Sequence, residues 1–347
     1  MPLSIPFPVW LTPEIIPGLP FRWYGLMYLI AFAITYLLFV RQTREQKLSW
    51  SEDEITGFFF WVILGLLIGA RVFATIVYDT SGIYLKKPWL VFWPFDSGRF
   101  IGLQGMSYHG GLLGATTGAI LYAIKRHMDV RDLGDLLVAG IPLGYTFGRL
   151  GNFINGELYG RVTVLPFGMI FPHAERFSAK EAWVVEIAQK TGIALPSADA
   201  LINLPRHPSQ LYEALFEGIV LWLVLWLLRN KKPFKGFLIG IYLIGYGLIR
   251  FIIEYFREPD ADLGYRIRFV NDGVPPALYS TPFNFSTGQI LCALMVVGGL
   301  AVLLIASCLP QASPARRTDS GQSALEKEAE KHASRRDRRK LRKKLHS

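Results

Sequence analysis

The 347-residue chain is 51% hydrophobic and 14% aromatic but only 18% charged, with a mean hydropathy of +0.30. That is more apolar surface than a soluble core absorbs, so the composition points to a bilayer and a membrane α-helical class. The formal charge of +10 says little about any site, because the C-terminal tail carries much of it and the rest of the chain is only mildly basic. Cys292 and Cys308 both fall in the last apolar stretch, where they can build neither a zinc site nor a disulfide framework. A thiol required by any chemistry therefore belongs to a substrate.

The start, Met1-Pro-Leu-Ser-Ile-Pro-Phe-Pro, has no basic n-region and no short apolar run with a small-residue cleavage site, so no removable signal peptide is expected. Apolar stretches bounded by charge or by Pro and Gly predict about seven transmembrane helices, near 20–40, 57–78, 107–125, 133–151, 209–229, 236–256 and 287–309. An odd number puts the termini on opposite sides. The connections 41–56, 125–132 and 229–235 and the tail after 309 hold 22 lysines and arginines against 12 in the opposite segments, which assigns the first set to the cytoplasm. The N-terminus is then outside and the C-terminus cytoplasmic.

Residues 1–309 read as one polytopic membrane domain and 310–347 as a basic, disordered cytoplasmic tail. The tail ends in Arg335-Arg-Asp-Arg-Arg-Lys-Leu-Arg-Lys-Lys344 and suits anionic lipid better than nucleic acid, so no nucleic-acid partner is expected. The segments 152–208 and 257–286 are too long for turns and predict a small exoplasmic cap. Seven spans without a fixed-period repeat argue against two equal inverted halves.

A charged side chain at the bilayer centre costs roughly 2.5–3.5 kcal/mol, so Arg71, Arg149 and Arg250 each require a reason. In the predicted topology all three lie late in inside-to-outside spans and gather at the depth of an outer-leaflet phosphate. Tyr246, Arg250 and Glu254 fall on one helical face, with Arg257 close behind. Arg250 and Glu254 either neutralise each other or present a guanidinium fork, held by the glutamate, to a phosphate. His109, in Ser107-Tyr-His-Gly-Gly111, is either an interfacial hydrogen-bonding residue or an acceptor for a thiol proton. Glycines at spacing four (Gly65/Gly69, Gly110/Gly114, Gly114/Gly118, Gly144/Gly148, Gly236/Gly240) read as helix-packing contacts. No phosphate-loop motif accompanies them.

The most informative run is Gly148-Arg-Leu-Gly-Asn-Phe-Ile-Asn-Gly-Glu-Leu-Tyr-Gly160. Asparagine and glycine at the end of an apolar span predict a helix that unravels at the membrane surface, shielded by protein. A turn explains the glycines but not the joint arrival of Arg149, Asn152, Asn155 and Glu157.

That run, with His109-Gly-Gly111, Trp23-Tyr-Gly-Leu-Met-Tyr28, Arg206-His-Pro-Ser-Gln-Leu-Tyr-Glu213 and Gly245-Tyr-Gly-Leu-Ile-Arg-Phe-Ile-Ile-Glu-Tyr-Phe-Arg257, resembles the bacterial prolipoprotein diacylglyceryl transferase family. Five blocks occur in order between about residues 20 and 309. The resemblance implies transfer of a diacylglyceryl group from phosphatidylglycerol to the lipobox cysteine of a preprolipoprotein signal peptide, with release of glycerol phosphate, in the bacterial inner membrane. It carries functional places onto His109, Arg149, Asn152, Glu157, Tyr24, Tyr246, Arg250 and Glu254. The chemistry fits: fixed cations such as Arg149 and Arg250 stabilise an anionic leaving group, and a thiol of pKa about 8.5 needs a base or a positive field. His109, Arg149, Arg250 and Glu157 are the expected catalytic set. Arg149, Asn152, Asn155, Tyr24, Tyr246, Glu254 and Arg71 are expected to bind the lipid, and neither metal nor cofactor is expected. A transporter or flippase would instead need a polar path through both leaflets, and a signal-peptide receptor would not need three arginines.

Overall fold

The computed structural model describes residues 4–311 apart from 20, 103–104, 198, 259–263 and 271–272. Most of the basic tail therefore lies outside the described residues. The long helices are α1 (Trp23–Glu45), α2 (Glu52–Val77), α4 (Tyr108–Lys125), α10 (Phe237–Ile253) and α11 (Thr287–Cys308). A further continuous helix covers Ser209–Leu228 and consists of α8 (Ser209–Tyr212), a π-helical segment Glu213–Val220 and α9 (Leu221–Leu228). The predicted span at 133–151 is two pieces, α5 (Val130–Val138) and α6 (Ile141–Ile154). By length and composition α1, α2, Ser209–Leu228 and α11 can cross a membrane, and α10 is a shorter apolar helix. The protein is thus mostly helical and suited to a bilayer.

Helix ends follow local chemistry. Ser51 and Glu54 form a capping box on α2, as Ser286 and Gln289 do on α11, which satisfies otherwise orphaned N–H groups. Asp129 caps α5. Asp135, fully buried, reaches across to accept from the N–H groups of Gly236 (3.0 Å) and Ile239 (3.2 Å), capping α10 from another helix.

The glycines set the distances between helices. A Cβ on Gly65, Gly69, Gly110 or Gly114 would collide with backbone of the opposing helix, so α2 and α4 cross at main-chain contact. Gly144 lies against Thr35 and Ala31 of α1, and Gly240 against Gly299 and Leu303 of α11. Gly148 differs from the packing role expected of it: among the described residues nothing lies within 4 Å of its would-be Cβ, so it leaves open space beside Arg149. Near one end of the helices Phe39, Phe58, Phe59 and Tyr122 knit α1, α2 and α4 together, and the Tyr122 hydroxyl donates to the carbonyl of Glu54 at 2.7 Å.

Between α6 and α8 the chain forms a small core of its own. Val162, Ala179, Ile202 and Leu204 join Val184, Ile187 and Ala188 of α7 (Ala182–Thr191), and Ala277 enters from the later connection. The two long connections therefore share one core. Between α2 and α4 lie α3 (Ile83–Lys86), a 3-10 turn at Pro88–Val91 and a short hairpin pairing Phe95 with Phe100.

The glycine contacts generate a stability prediction. Gly114→Val drives two methyl groups into the α2 backbone and is expected to lower stability by about 3 kcal/mol or more. Gly148→Ala, which meets nothing, is expected to leave stability unchanged or raise it by up to about 1 kcal/mol through helix propensity. Thermal unfolding of the two variants in detergent, side by side, checks the contrast.

Candidate functional site

Two acidic residues on the π-helical segment organise the polar residues of the helices. Glu213 and Glu217 are both fully buried and stand one turn apart, facing α6 and α10. The segment packs closely on α6 because position 218 is glycine: a Cβ there would collide with the Thr146 side chain. π-Helical turns inside longer helices are often found where a site is built.

Glu213 takes three cations. Its Oε2 lies 2.7 Å from Nε of Arg149, and its Oε1 lies 2.7 Å from Nη1 of Arg257 and 3.3 Å from Nη1 of Arg250. Arg250 also pairs with Glu254 at 2.9 Å, and Ser286 donates to the other oxygen of Glu254 at 3.0 Å. The Tyr145 hydroxyl accepts from Nε of Arg149 at 2.6 Å and donates to Glu217 Oε2 at 2.6 Å. A buried charge is tolerated only when paired and hydrogen-bonded in this way.

Arg149 also leads to the following turn. Its Nη1 donates to Oδ1 of Asn152 at 3.3 Å, and Nδ2 of Asn152 donates to Glu157 at 2.9 Å. Nδ2 of Asn155 donates to the same Glu157 oxygen at 3.3 Å. Oδ1 of Asn155 is buried without a partner among the described residues. The helix does not unravel where the run of glycines and asparagines begins. It continues to Ile154, keeping Arg149 and Asn152 on one helical face, and turns at Asn155 to Gly160 with positive φ at Gly156 (66°) and Leu158 (57°).

The segment Arg206–Gln210 straps that turn in place. Gln210 donates to the carbonyl of Glu157 at 2.6 Å, Ser209 to that of Leu158 at 3.1 Å, and the Gly160 N–H to the carbonyl of His207 at 2.8 Å. Arg206 is fully buried between the rings of Tyr159 and Phe177 and pairs with Glu258. His207 is nearly buried, with Nδ1 3.1 Å from the Tyr212 hydroxyl. Burial and the nearby Arg161 push its pKa down to about 4.

Tyrosines complete the surroundings. The Tyr246 ring stands edge-on to Tyr145 at 6.0 Å, and the hydroxyls of Tyr24 and Tyr28 are 2.9 Å apart. Tyr28 is within electrostatic reach of Arg149 and Glu157, and Tyr108 of Arg149, Glu217 and Arg250.

Residues 12–305 match the model of the prolipoprotein diacylglyceryl transferase family. The chain is 53% identical to the phosphatidylglycerol–prolipoprotein diacylglyceryl transferase of Treponema denticola, over 88% of this chain and 95% of that one. It is 50% identical to that of Treponema pallidum (91% and 99%) and 42% identical to that of Chlorobaculum tepidum (83% and 87%). The chain belongs to the prolipoprotein diacylglyceryl transferase family. It is therefore a transferase of lipoprotein biosynthesis.

Of the residues singled out by sequence, Arg149, Asn152, Asn155, Glu157, Arg250 and Glu254 lie in one connected network, with Tyr246 and Tyr24 at its border. Arg71 lies elsewhere. It is nearly buried, and its guanidinium donates to the carbonyls of Val91 (2.6 Å), Leu90 (2.9 Å) and Gly105 (3.1 Å) and to the Tyr84 hydroxyl (3.2 Å). The side chain clamps the connection between α2 and α4. His109 is exposed, with its ring 5.8 Å from that of Tyr108 and no described hydrogen bond to the arginines. The sequence reading missed Glu213, Glu217 and Tyr145. Two acids four residues apart in an otherwise apolar run were the available signal, since the rule that singles out intramembrane arginines applies equally to carboxylates.

Glu213→Ala leaves three guanidiniums without their common partner and is expected to cost about 3–5 kcal/mol, read as a large drop in unfolding temperature in detergent. His207 is neutral in the fold down to about pH 4, whereas in the unfolded chain it takes a proton near pH 6.5. Stability is therefore expected to fall as pH drops from about 6.5 toward 4, by up to about 3 kcal/mol, and the fall should vanish in His207→Gln. Unfolding temperatures across that range, wild type against variant, give the comparison.

Proposed function

We propose that this chain transfers the diacylglyceryl group of phosphatidylglycerol to the lipobox cysteine thiol of a preprolipoprotein, forming a thioether and releasing glycerol phosphate. This is the first step of bacterial lipoprotein maturation. In this reading the chain spans the inner membrane with about seven helices, α5 and α6 together forming the fourth. Its N-terminus is outside, and its cap at 152–208 and 257–286 sits on the outer surface. Residues 310–347 form a basic cytoplasmic tail. The density of Lys and Arg in the short connections supports that orientation.

The observation that carries the proposal is the state of Arg149. Its Nε and Nη1 are held by Glu213, Tyr145 and Asn152, while among the described residues Nη2 makes no hydrogen bond and 19% of the side chain is accessible. A guanidinium fixed through Nε and Nη1, with Nη2 left between them, is a preorganised donor for a phosphate oxygen. Attack of the thiolate on the glyceryl carbon breaks its bond to oxygen and moves charge onto the departing phosphate. Donors already in place stabilise that charge without reorganisation. Arg250 adds positive potential from α10, fixed by Glu254 and Glu213. Glu157 orients Asn152 and Asn155, and the unpaired oxygen of Asn155 is an acceptor for a headgroup hydroxyl. Tyr24 and Tyr246 flank the lipid. His109, at the exposed start of α4, is assigned as the base that takes the thiol proton.

The experiment is incubation of purified protein with phosphatidylglycerol and a lipobox peptide, followed by mass spectrometry of the cysteine. Arg149→Ala and Arg149→Lys are each expected to lower transfer by about 100-fold or more while the protein still inserts and unfolds cooperatively. Lysine fails because a compact ammonium lacks the planar spread of nitrogens that reaches Glu213, Asn152 and a phosphate from separate positions. Normal thioether formation by either variant would remove Arg149 from the reaction. His109→Asn is expected to recover rate as pH approaches the thiol pKa of about 8.5, and an unchanged pH profile at near-normal rate would remove His109 as the base.

A further inference from the structure

Glu217 does not share the pairing of its neighbours. Arginines approach Glu213 at 2.7, 2.7 and 3.3 Å, and Glu254 at 2.9 and 3.7 Å. Glu217 keeps the Tyr145 hydroxyl at 2.6 Å, and its nearest guanidinium is that of Arg250 at 4.0 Å. Its Oε1 receives no hydrogen bond among the described residues although the residue is fully buried. A carboxylate removed from water costs several kcal/mol unless it is fully paired, and Glu213 adds a like charge one turn away.

The charged and titratable neighbours of Glu217 among the described residues come from several helices. From its own helix it faces Glu213, and from α6 Tyr145 and Arg149. From α10 it faces Arg250 and Tyr246. Tyr242 of α10, Tyr108 of α4 and Cys292 of α11 complete the electrostatic neighbours. Tyrosine and thiol are neutral near pH 7. The buried charges are therefore Arg149, Arg250 and Arg257 against Glu213, Glu217 and Glu254. These six charges balance while the site is empty, and Glu157 at the mouth already stands in excess of them. A phosphate at Arg149 adds a further anion with no cation to match it. The least costly correction is a proton on the carboxylate that the arginines pair least closely. Tyr145 joins the two places directly, accepting from Arg149 and donating to Glu217.

We propose that binding of an anionic lipid phosphate at Arg149 is coupled to uptake of one proton by Glu217. The inference rests on the reading of Arg149 as the phosphate-binding residue. A phosphodiester stays singly charged and arginine stays protonated across the neutral range. Neither partner therefore supplies a pH dependence of its own, and Glu217 does. Binding that takes up one proton weakens about tenfold for each pH unit above the pKa of the empty site.

The test is calorimetric titration of the full chain in detergent with phosphatidylglycerol, without peptide, in buffers of different ionisation enthalpy from about pH 6 to about pH 9. The range brackets the neutral region where carboxylate uptake and thiol or histidine titration can be separated. Wild type is expected to take up close to one proton per lipid bound on the alkaline side, with affinity falling toward tenfold per unit. Diacylglycerol, which lacks the phosphate, should cause no uptake. Glu217→Gln, near-isosteric and always neutral, is expected to bind without uptake and with a flat pH profile. His109→Gln should keep the wild-type slope. Absence of uptake in wild type, persistence of the slope in Glu217→Gln, or its loss in His109→Gln would each overturn the coupling. Because the first outcome is read on wild type, the test stands even if a variant fails to fold. Arg149→Ala separates the two readings: undiminished lipid binding there defeats the phosphate assignment, whereas lost binding there with pH-independent binding in wild type defeats the proton coupling alone.

Discussion

Three guanidiniums can stand together inside this helical protein because one carboxylate reaches all of them. Glu213 is fully buried and lies within 3.3 Å of Arg149, Arg250 and Arg257, which come from α6, from α10 and from just beyond the end of α10. Without that anion Arg149 would keep only neutral partners, and Arg250 and Arg257 would share Glu254 alone, at a cost of several kcal/mol. With it, a repulsion between cations becomes a link between helices. The link also sets orientation, since each arginine is held through particular nitrogens and the remaining edge faces a fixed direction.

Glu213 can do this only if its helix comes close enough. Gly218 removes the side chain that would strike Thr146, and the π-helical turn at Glu213–Val220 keeps both acids facing α6 and α10. On the far side, Gly240 and Gly299 let α10 and α11 approach, and Ser286 at the start of α11 reaches Glu254. Small residues are the usual means of bringing helices together where no hydrophobic force separates lipid from side chain. Here they also bring the charges within ion-pairing distance. The absence of a side chain at Gly148, by contrast, brings nothing closer and keeps the space next to Arg149 open.

Much of the helical plan could be read from the apolar stretches, whose positions coincide with α1, α2, α4, Ser209–Leu228, α10 and α11 to within several residues. The break between α5 and α6 was hidden, because Ala139-Gly-Ile-Pro142 sits in a run apolar enough to read as one span. The grouping of Arg149 with Asn152, Asn155 and Glu157 was legible because those residues are local in sequence and a single turn joins them. Glu254 was legible beside Arg250, one helical turn away, but Glu213 and Glu217 were not, because Tyr212-Glu-Ala-Leu-Phe-Glu-Gly218 is distant in sequence from the arginines it meets. Arg71 shows the converse. Depth alone pointed to it, and its partners among the described residues include the backbone carbonyls of Leu90, Val91 and Gly105 and the Tyr84 hydroxyl; no side-chain pattern announces a carbonyl.

Arg71 and Arg149 differ in a way that separates a structural arginine from one available to a ligand. Both are largely removed from solvent and both are held by several acceptors. Arg71 spends Nε, Nη1 and Nη2 on acceptors that belong to the connection it secures. A phosphate could bind it only by releasing that connection. Arg149 is gripped through Nε and Nη1 by residues of its own bundle, and Nη2 makes no hydrogen bond among the described residues. In the proposed reading a phosphate at Arg149 breaks no existing hydrogen bond, so its interaction is not offset by the loss of another. Burial and charge single out both arginines; the accounting of individual N–H groups separates them.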